Sequence, residues 1–389
     1  MKGEKLKVFL KLMVLAAVVV GLSMLSGRMW GGEKKKEAPR EIVITEEMTA
    51  GQIATKYNIE RPMLKKAFGL KDKSDLMKSV GQLGMTGKQA EEKLRKVMAF
   101  KAEEGSKNWK KIAAKFFLWI VFLGFVFSML RKKRITVKNR TAILFAAVLI
   151  FGVALGSDPN PMGTIKDAIV LWGKQKIIFP PRMIALAVFL FMVIAANKFI
   201  CSWGCQFGTL QELAFRLNRN KKDNGGIIRQ YKIPFVVTNT IRATFFAAII
   251  VAALAWLFDI VKPIDPFNIF TPAHLGIIGG AFVALVLAAS VFVYRPWCTM
   301  LCPFGFVGWV FEKLSVNKIK VDYNTCIGCK ACAKACPSTV MEAILVQDRT
   351  IPDCFSCGTC MNVCPTGSIG FKSGSRDKPP AGKFDSASK

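Results

Sequence analysis

Six long apolar stretches, near residues 8–27, 112–130, 141–156, 182–200, 241–261 and 275–294, constrain this 389-residue chain more than any other feature. A helix crosses the hydrocarbon core of a bilayer in about 20 residues. One such stretch can be a buried core helix, but six in succession read as a polytopic, all-α membrane protein, although the third is short for a span. The stretches also account for a hydrophobic fraction of 52%. Lys and Arg number 56 against 26 Asp and Glu, a formal net charge of +30. Such an excess is compatible with nucleic-acid binding. Here the basic residues border the apolar stretches, where they set topology and meet anionic headgroups. Many of the lysines in 30–111 are accounted for by a solvated surface.

Basic residues concentrate on one side. Lys2, Lys5, Lys7 and Lys11 precede or open the first stretch, RKKRITVKNR fills 131–140, and Arg216, Arg219, Lys221, Lys222, Arg229 and Lys232 follow the fourth. Loop 259–274 has only Lys262 among Lys and Arg. The asymmetry predicts both termini in the cytoplasm of a cell with an inner membrane and three loops outside. Trp172 and Trp256 are then expected at the outer interface, and Trp203, Trp297 and Trp309 at the inner one. A signal peptide is the alternative for the first stretch. No small-x-small site follows Leu25, and Arg28, Met29 and Trp30 come next, which favours an uncleaved anchor over 1–29. Residues 30–111 are expected to form a small helical extracytoplasmic domain. Thr49 leads into Ile53, Tyr57 and Ile59, Pro62 opens a second helix, and Thr86 with Gln89 forms a capping box before a helix toward Glu104. Its first two helices resemble a DNA-binding helix-turn-helix in outline, but an outside location argues for packing or a partner contact.

All 12 cysteines lie in the second half of the chain. Cys326, Cys329, Cys332 and Cys336, followed by Pro337, make one C-x2-C-x2-C-x3-C-P run; Cys354, Cys357, Cys360 and Cys364, followed by Pro365, make a second. This run is the bacterial ferredoxin ligand set, whose fourth cysteine crosses to the other cluster. Three cysteines on a tight loop reach three irons of one cube, and the fourth, a helical turn later, points to its neighbour. The expected sets are Cys326, Cys329, Cys332 and Cys364 for one [4Fe-4S] cluster, and Cys354, Cys357, Cys360 and Cys336 for the other. Gly328 and Gly358 allow backbone N–H groups to approach the sulfides. Zinc is the competing reading of C-x2-C pairs, but two complete runs ending in Cys-Pro disfavour it, and a reducing cytoplasm disfavours disulfides. The single histidine, His274, cannot supply bis-His haem ligation, and no C-x-x-C-H occurs. An α+β ferredoxin domain is expected over 316–372, with a disordered tail over 373–389.

The membrane core, 112–315, shows an internal duplication. Cys201-x3-Cys205 closes the fourth stretch and Cys298-x3-Cys302 follows the sixth. Upstream of each lies an outer loop with Asp-Pro, at Asp158-Pro159 and Asp265-Pro266. The pattern predicts two similar hairpins, each ending in C-x3-C at the cytoplasmic face. In a helix, positions i and i+4 share a face, so the four thiols are candidates for one further metal centre. Inert buried cysteines and a redox-active dithiol remain open beside it.

From about residue 158 to 370 the chain resembles the NapH/NosR/CcoG group of membrane ferredoxins, and the NapH type of quinol-dehydrogenase subunit most of all. The resemblance rests on Phe199 to Cys205, on Trp297 to Pro303, and on the paired ferredoxin runs. It implies electron transfer from the quinol pool through iron–sulfur carriers to a partner reductase. A CcoG-like copper reductase or assembly factor is the alternative; it would suit a Met- or His-rich outer segment, whereas the outer loops hold His274 and scattered methionines. A membrane redox sensor would need an output domain, and none is evident on the cytoplasmic side. Gln206 departs from the proline usual after the second cysteine, and the first two helices with the domain between them are additions to a four-helix core. No Ser/Thr-Gly-Ala-Thr flavinylation motif occurs.

Five further residues carry weaker signals. His274 suits a quinol proton acceptor or an ordinary loop histidine. Asp158 and Asp265 suit a quinol site or turn chemistry. Arg242 is expected to snorkel. Lys198 is expected either to offset thiolate charge at Cys201 or to snorkel.

Overall fold

A computed structural model describes residues 2–30, 43–57, 59–70, 72 and 74–384. The fold is mostly helical. Helix α1 (Lys2–Met29) is followed by α2 (Ala50–Lys56), α3 (Arg61–Phe68) and α4 (Gly87–Gly105). Thr86 closes a capping box with Gln89 and Pro62 sits in the first turn of α3, as the sequence predicts, and Thr49 closes a second box with Gln52. These three helices pack around their own core of Ile53, Leu64, Phe68, Val80 and Leu94.

The core continues with α5 (Trp109–Arg131) and α6 (Val137–Ala147), which runs on as a π-helical stretch, Val148–Ala154. Next come α7 (Pro161–Gln175), α8 (Pro180–Ala196), α9 (Phe199–Trp203) and α10 (Gln206–Leu217). Helices α11 (Phe235–Ala255), α12 (Ile277–Phe292), α13 (Pro296–Met300) and α14 (Pro303–Glu312) complete it. Among the described residues, four helical stretches are long and apolar enough to cross a membrane: Gly3–Met29, Trp109–Arg131, Val137–Ala154 and Phe235–Ala255. The fourth and sixth expected spans are the shorter apolar helices Pro180–Ala196 and Ile277–Phe292.

The carboxyl-terminal part pairs β1 (Asn317–Val321) with β2 (Ile369–Ser373) in an antiparallel sheet, Ile319 opposite Phe371. Between them lie α15 (Ala331–Ala335), α16 (Val340–Val346) and α17 (Thr359–Asn362). Its hydrophobic residues merge with the membrane core in one cluster: Phe127 of α5 meets Phe371 edge-on at 5.5 Å. The tail expected to be disordered is mostly exposed over its described part but touches the domain at several points. Phe384 is buried against Tyr323 at 6.0 Å, and Arg376 donates to the Ile319 carbonyl. Residues 385–389 lie outside the described residues.

Two tryptophans depart from expectation. Trp172 and Trp256 are exposed, as interface anchors are, but Trp203, inside the first C-x3-C segment, and Trp297, directly before the second, are fully buried because both segments fold into the core.

Candidate iron–sulfur centre

The two crossing cysteine sets each line one cavity. Cys326, Cys329, Cys332 and Cys364 surround the first, with Ile327, Lys330 and Phe384 at its wall. Cys336, Cys354, Cys357 and Cys360 surround the second, which Tyr294 of the membrane core helps to close. Among the described residues no three His, Cys, Asp or Glu side chains form a group able to hold one metal ion. Zinc requires such convergence on one point, whereas a cube spreads its four thiolates over four irons, as walls around a cavity do. The donor set therefore fits [4Fe-4S]. Gly328 and Gly358 have φ of +72° and +76°, the left-handed conformation each loop needs.

Burial pushes the Cys332 and Cys354 thiols up to about 12. Without metal these sulfurs stay protonated near neutral pH, so cluster assembly must release their protons. Cys364 is held below the ordinary thiol range: burial pushes it up, but the Thr366 hydroxyl and backbone N–H groups of Thr366, Ser368 and Ile369 outweigh that.

The C-x3-C pairs take a shape the i,i+4 argument does not anticipate. Neither pair shares one helix. The chain breaks at Gly204 and at Leu301, so Cys201 and Cys298 lie on the short α9 and α13, while Cys205 and Cys302 are the N-cap residues of α10 and α14. The N–H groups of Cys205 and Cys302 donate back to the carbonyls of Ile200 and Trp297, at 2.7 and 2.9 Å. Backbone N–H groups of the following turn donate to the sulfurs, from Phe207 and Gly208 to Cys205 and from Gly305 to Cys302. A Cβ on Gly208 would stand 2.5 Å from the Cys201 carbonyl oxygen, and one on Gly305 would stand 2.4 Å from that of Cys298. The duplication read from spacing thus extends to the closest backbone approaches.

All four of these cysteines are buried and lie within electrostatic reach of one another. Gln211 on α10 ties the repeats together, donating to Cys298 Sγ at 3.2 Å and accepting from the Trp297 N–H. The break is level with the middle of α5, not with its end: the Trp119 indole, midway along that helix, donates to the Gly204 carbonyl at 3.0 Å. Gln206, where proline is usual, donates to the Ser157 carbonyl at 2.6 Å. Lys115, buried in α5, donates to the Gly156 carbonyl on the same loop. The first C-x3-C segment therefore does not simply close a helix: its break packs at mid-length of α5, and Gln206 just beyond it meets loop 156–158.

Several side chains read as peripheral join the two cysteine systems. Lys198 and Arg242 do not snorkel. Both are fully buried and both donate to Asp353, next to Cys354; Lys198 also donates to the Gly305 carbonyl, opposite repeat to its own. Arg295 donates to Glu212 at 2.8 Å and to the Cys201 carbonyl at 2.6 Å. The Phe355 ring lies between Lys198 and Arg295, 5.6 and 4.9 Å away. Trp203 donates to the Ser356 carbonyl, and Thr359 accepts from Arg140 and Arg216. Asp353, Phe355, Glu212 and Arg295 were not singled out by spacing, because a carboxylate and an arginine far apart in sequence carry no local signal of pairing. Asp265 caps Phe267 and pairs with Lys166, Asp158 pairs with Lys107, and His274 is exposed in a turn at Pro272–His274.

Helices able to span a membrane, joined to two cavities each walled by four cysteines, define a membrane-bound ferredoxin-type electron-transport protein. Comparison with known proteins narrows the class. Residues 319–371 match the model of a 4Fe-4S dicluster domain, and residues 177–223 and 275–322, one C-x3-C pair in each, match that of a 4Fe-4S binding domain. Over 54% of its length the chain is 32% identical to the Escherichia coli protein named "Putative electron transport protein YccM", covering 60% of it. It is 26% identical to the ferredoxin-type protein NapH of Haemophilus influenzae, over 46% of this chain and 64% of that one. It is 26% identical to the methylamine utilization ferredoxin-type protein MauN of Paracoccus denitrificans, over 50% and 65% respectively. The chain thus spans somewhat under two thirds of each of these relatives. These matches make the chain similar to the NapH-like membrane ferredoxins. No solved structure matches it.

Proposed function

We propose that this chain takes electrons from membrane quinol and passes them, through iron–sulfur centres at its cytoplasmic side, to a partner reductase. The observation that carries the reading is the junction at residues 353–359, where a loop of the dicluster domain touches Trp203 within the first C-x3-C segment and Tyr294 and Arg295 just before the second. Cys326, Cys329, Cys332 and Cys364 would hold one [4Fe-4S] cluster, Cys336, Cys354, Cys357 and Cys360 a second, and Cys201, Cys205, Cys298 and Cys302 a third metal centre. Clusters bound there supply one-electron carriers. The chain's own residues fix where those carriers sit. Gly208 and Gly305 let the second cysteine of each pair receive backbone N–H groups, and Lys198, Arg242 and Arg295 bring buried positive charge to a set of thiolates that would otherwise be costly to bury. The basic asymmetry supports an inner-membrane location with six spans and both termini cytoplasmic, which puts the dicluster domain on the cytoplasmic side.

The test uses purified full-length protein and a soluble quinol analogue. Cluster reduction is followed by electron paramagnetic resonance and iron is counted per chain. The double variant Cys201→Ser, Cys298→Ser is expected to keep both dicluster signals, lose iron, and lose quinol-dependent reduction. Unchanged iron and unchanged reduction by quinol would make these cysteines structural.

A further inference from the structure

The two sites of the dicluster domain are alike in sequence and unlike in surroundings. The loop carrying Cys354, Cys357 and Cys360 is sealed. Asp353, Cys354, Phe355, Ser356, Thr359 and Cys360 are all buried. Nearly every residue of this loop has a partner in the membrane core: Asp353 meets Lys198 and Arg242, the Cys354 N–H donates to Glu312, Phe355 lies between Lys198 and Arg295, and Ser356 meets Trp203. Tyr294, which leads into α13, completes the wall of that cavity and meets Phe355 edge-on at 5.7 Å.

The loop carrying Cys326, Cys329 and Cys332 has the opposite character. Ile327 is 65% exposed and Cys329 is exposed. Pro365 and Thr366, on the far wall, are exposed too. Every residue lining this cavity comes from the dicluster domain and its tail, none from the membrane core.

We infer that the two sites are ordered. The Cys336, Cys354, Cys357 and Cys360 site is the inner relay, and the Cys326, Cys329, Cys332 and Cys364 site is the terminal from which a one-electron carrier takes electrons, at the rim formed by Ile327 and Cys329. This deepens the proposed function and rests on it for the donor. A quinol gives up two electrons and two protons. The electrons enter singly by the inner site and leave singly from the outer one, so two carrier molecules are each reduced by one electron for every quinol oxidised to quinone. No bond forms at either cysteine site, and the protons leave at the quinol headgroup.

Two measurements on the full-length protein separate this inference from the function it rests on. The first needs no quinol. Iron is extracted by a water-soluble chelator after mild oxidation with ferricyanide, and the surviving dicluster signal is read after reduction with dithionite. The variants Cys329→Ser and Cys357→Ser assign the two signals. The outer signal should vanish several-fold sooner than the inner one in the wild-type protein; equal rates, or the reverse order, overturn the ordering. The second uses the quinol analogue. In Cys329→Ser the inner site should still be reduced by quinol. In Cys357→Ser the outer site should no longer be reduced by quinol while dithionite still reduces it. Quinol reduction of the outer site at the wild-type rate in Cys357→Ser overturns the ordering. Should quinol reduce neither site in the wild type, while extraction keeps its expected order, the donor assignment fails and the ordering stands.

Discussion

Removing the Asp353 carboxylate should loosen the joint between the dicluster domain and the membrane core. Asp353 is 5% exposed, and Lys198 and Arg242, which it accepts from, are 0% exposed. Although burial pushes the Asp353 carboxyl up, Lys198 and then Arg242 hold it below the usual carboxylate range, so it is ionised at neutral pH. Each attraction is worth about 4 kcal/mol gross for charges ~4 Å apart at an effective dielectric constant near 20. Desolvation offsets much of that sum, and deleting one partner of a buried pair costs about 3–5 kcal/mol net because the other charge is left unmatched. At roughly 2–4 °C per kcal/mol for a unit of 150–250 residues, Asp353→Ala should lower the apparent Tm by about 6–20 °C. The assay is thermal bleaching of the visible iron–sulfur absorbance in detergent, with iron counted beforehand. Asp353→Asn, which keeps the shape and one acceptor, should fall less. Adding Lys198→Met to Asp353→Ala should recover part of the loss, since it removes one of the two orphaned cations. A Tm within about 2 °C of wild type for Asp353→Ala, at full iron content, would refute the reasoning: a loss below about 1 kcal/mol means that water already solvates these charges.

The remaining predictions concern packing, acid and topology. Gly208→Ala and Gly305→Ala each force a methyl into a backbone carbonyl, at 2.5 and 2.4 Å, so each should cost about 1–3 kcal/mol and lower iron content, measured by thermal bleaching and iron analysis. Asp223 is buried, which pushes its carboxyl up, but Arg216, Arg140 and Arg219 hold it well below the usual range. Its folded value lies below the unfolded one of about 3.9, so its contribution is complete above that pH and is lost as pH falls. Stability should therefore decline more steeply below about pH 4 in the wild type than in Asp223→Asn, in parallel thermal scans. Reporter fusions placed after Ser106 and after Lys222 should report opposite sides of the membrane; the same side for both would sink the topology.

The eight dicluster cysteines were legible because their spacing is itself the geometry of the site: three on a tight loop and one crossing over. The duplication was legible for the same reason. The break within each C-x3-C pair was not. C-x3-C has the separation of one helical turn, and nothing in four residues announces that the turn is broken at Gly204, where the Trp119 indole holds the carbonyl, or at Leu301. Helix α10 was equally hidden. Gln206, Gln211, Glu212 and Arg216 give it the polarity of a cytoplasmic loop, yet it is buried from Gln206 through Phe215, because each polar side chain finds a partner from a distant segment. Arg242 was misread for the same cause, and so was the snorkelling alternative for Lys198. A cation near the end of an apolar stretch snorkels by default, and only the fold reveals a carboxylate more than a hundred residues away.

The buried loop at 353–359 also bears on how fast such a protein can work. Many electron carriers ride on tethers, and their turnover is set by how quickly a mobile head swings between donor and acceptor. Here the head has no excursion to make. Its inner loop is pinned by Asp353, stacked through Phe355 and hydrogen-bonded at Ser356, so the separation between the two cysteine systems is a constant of the fold. Passage across the joint is then governed by distance and driving force, and thickening the medium with sucrose or glycerol should leave it untouched, while encounters with a freely diffusing acceptor slow in proportion to viscosity.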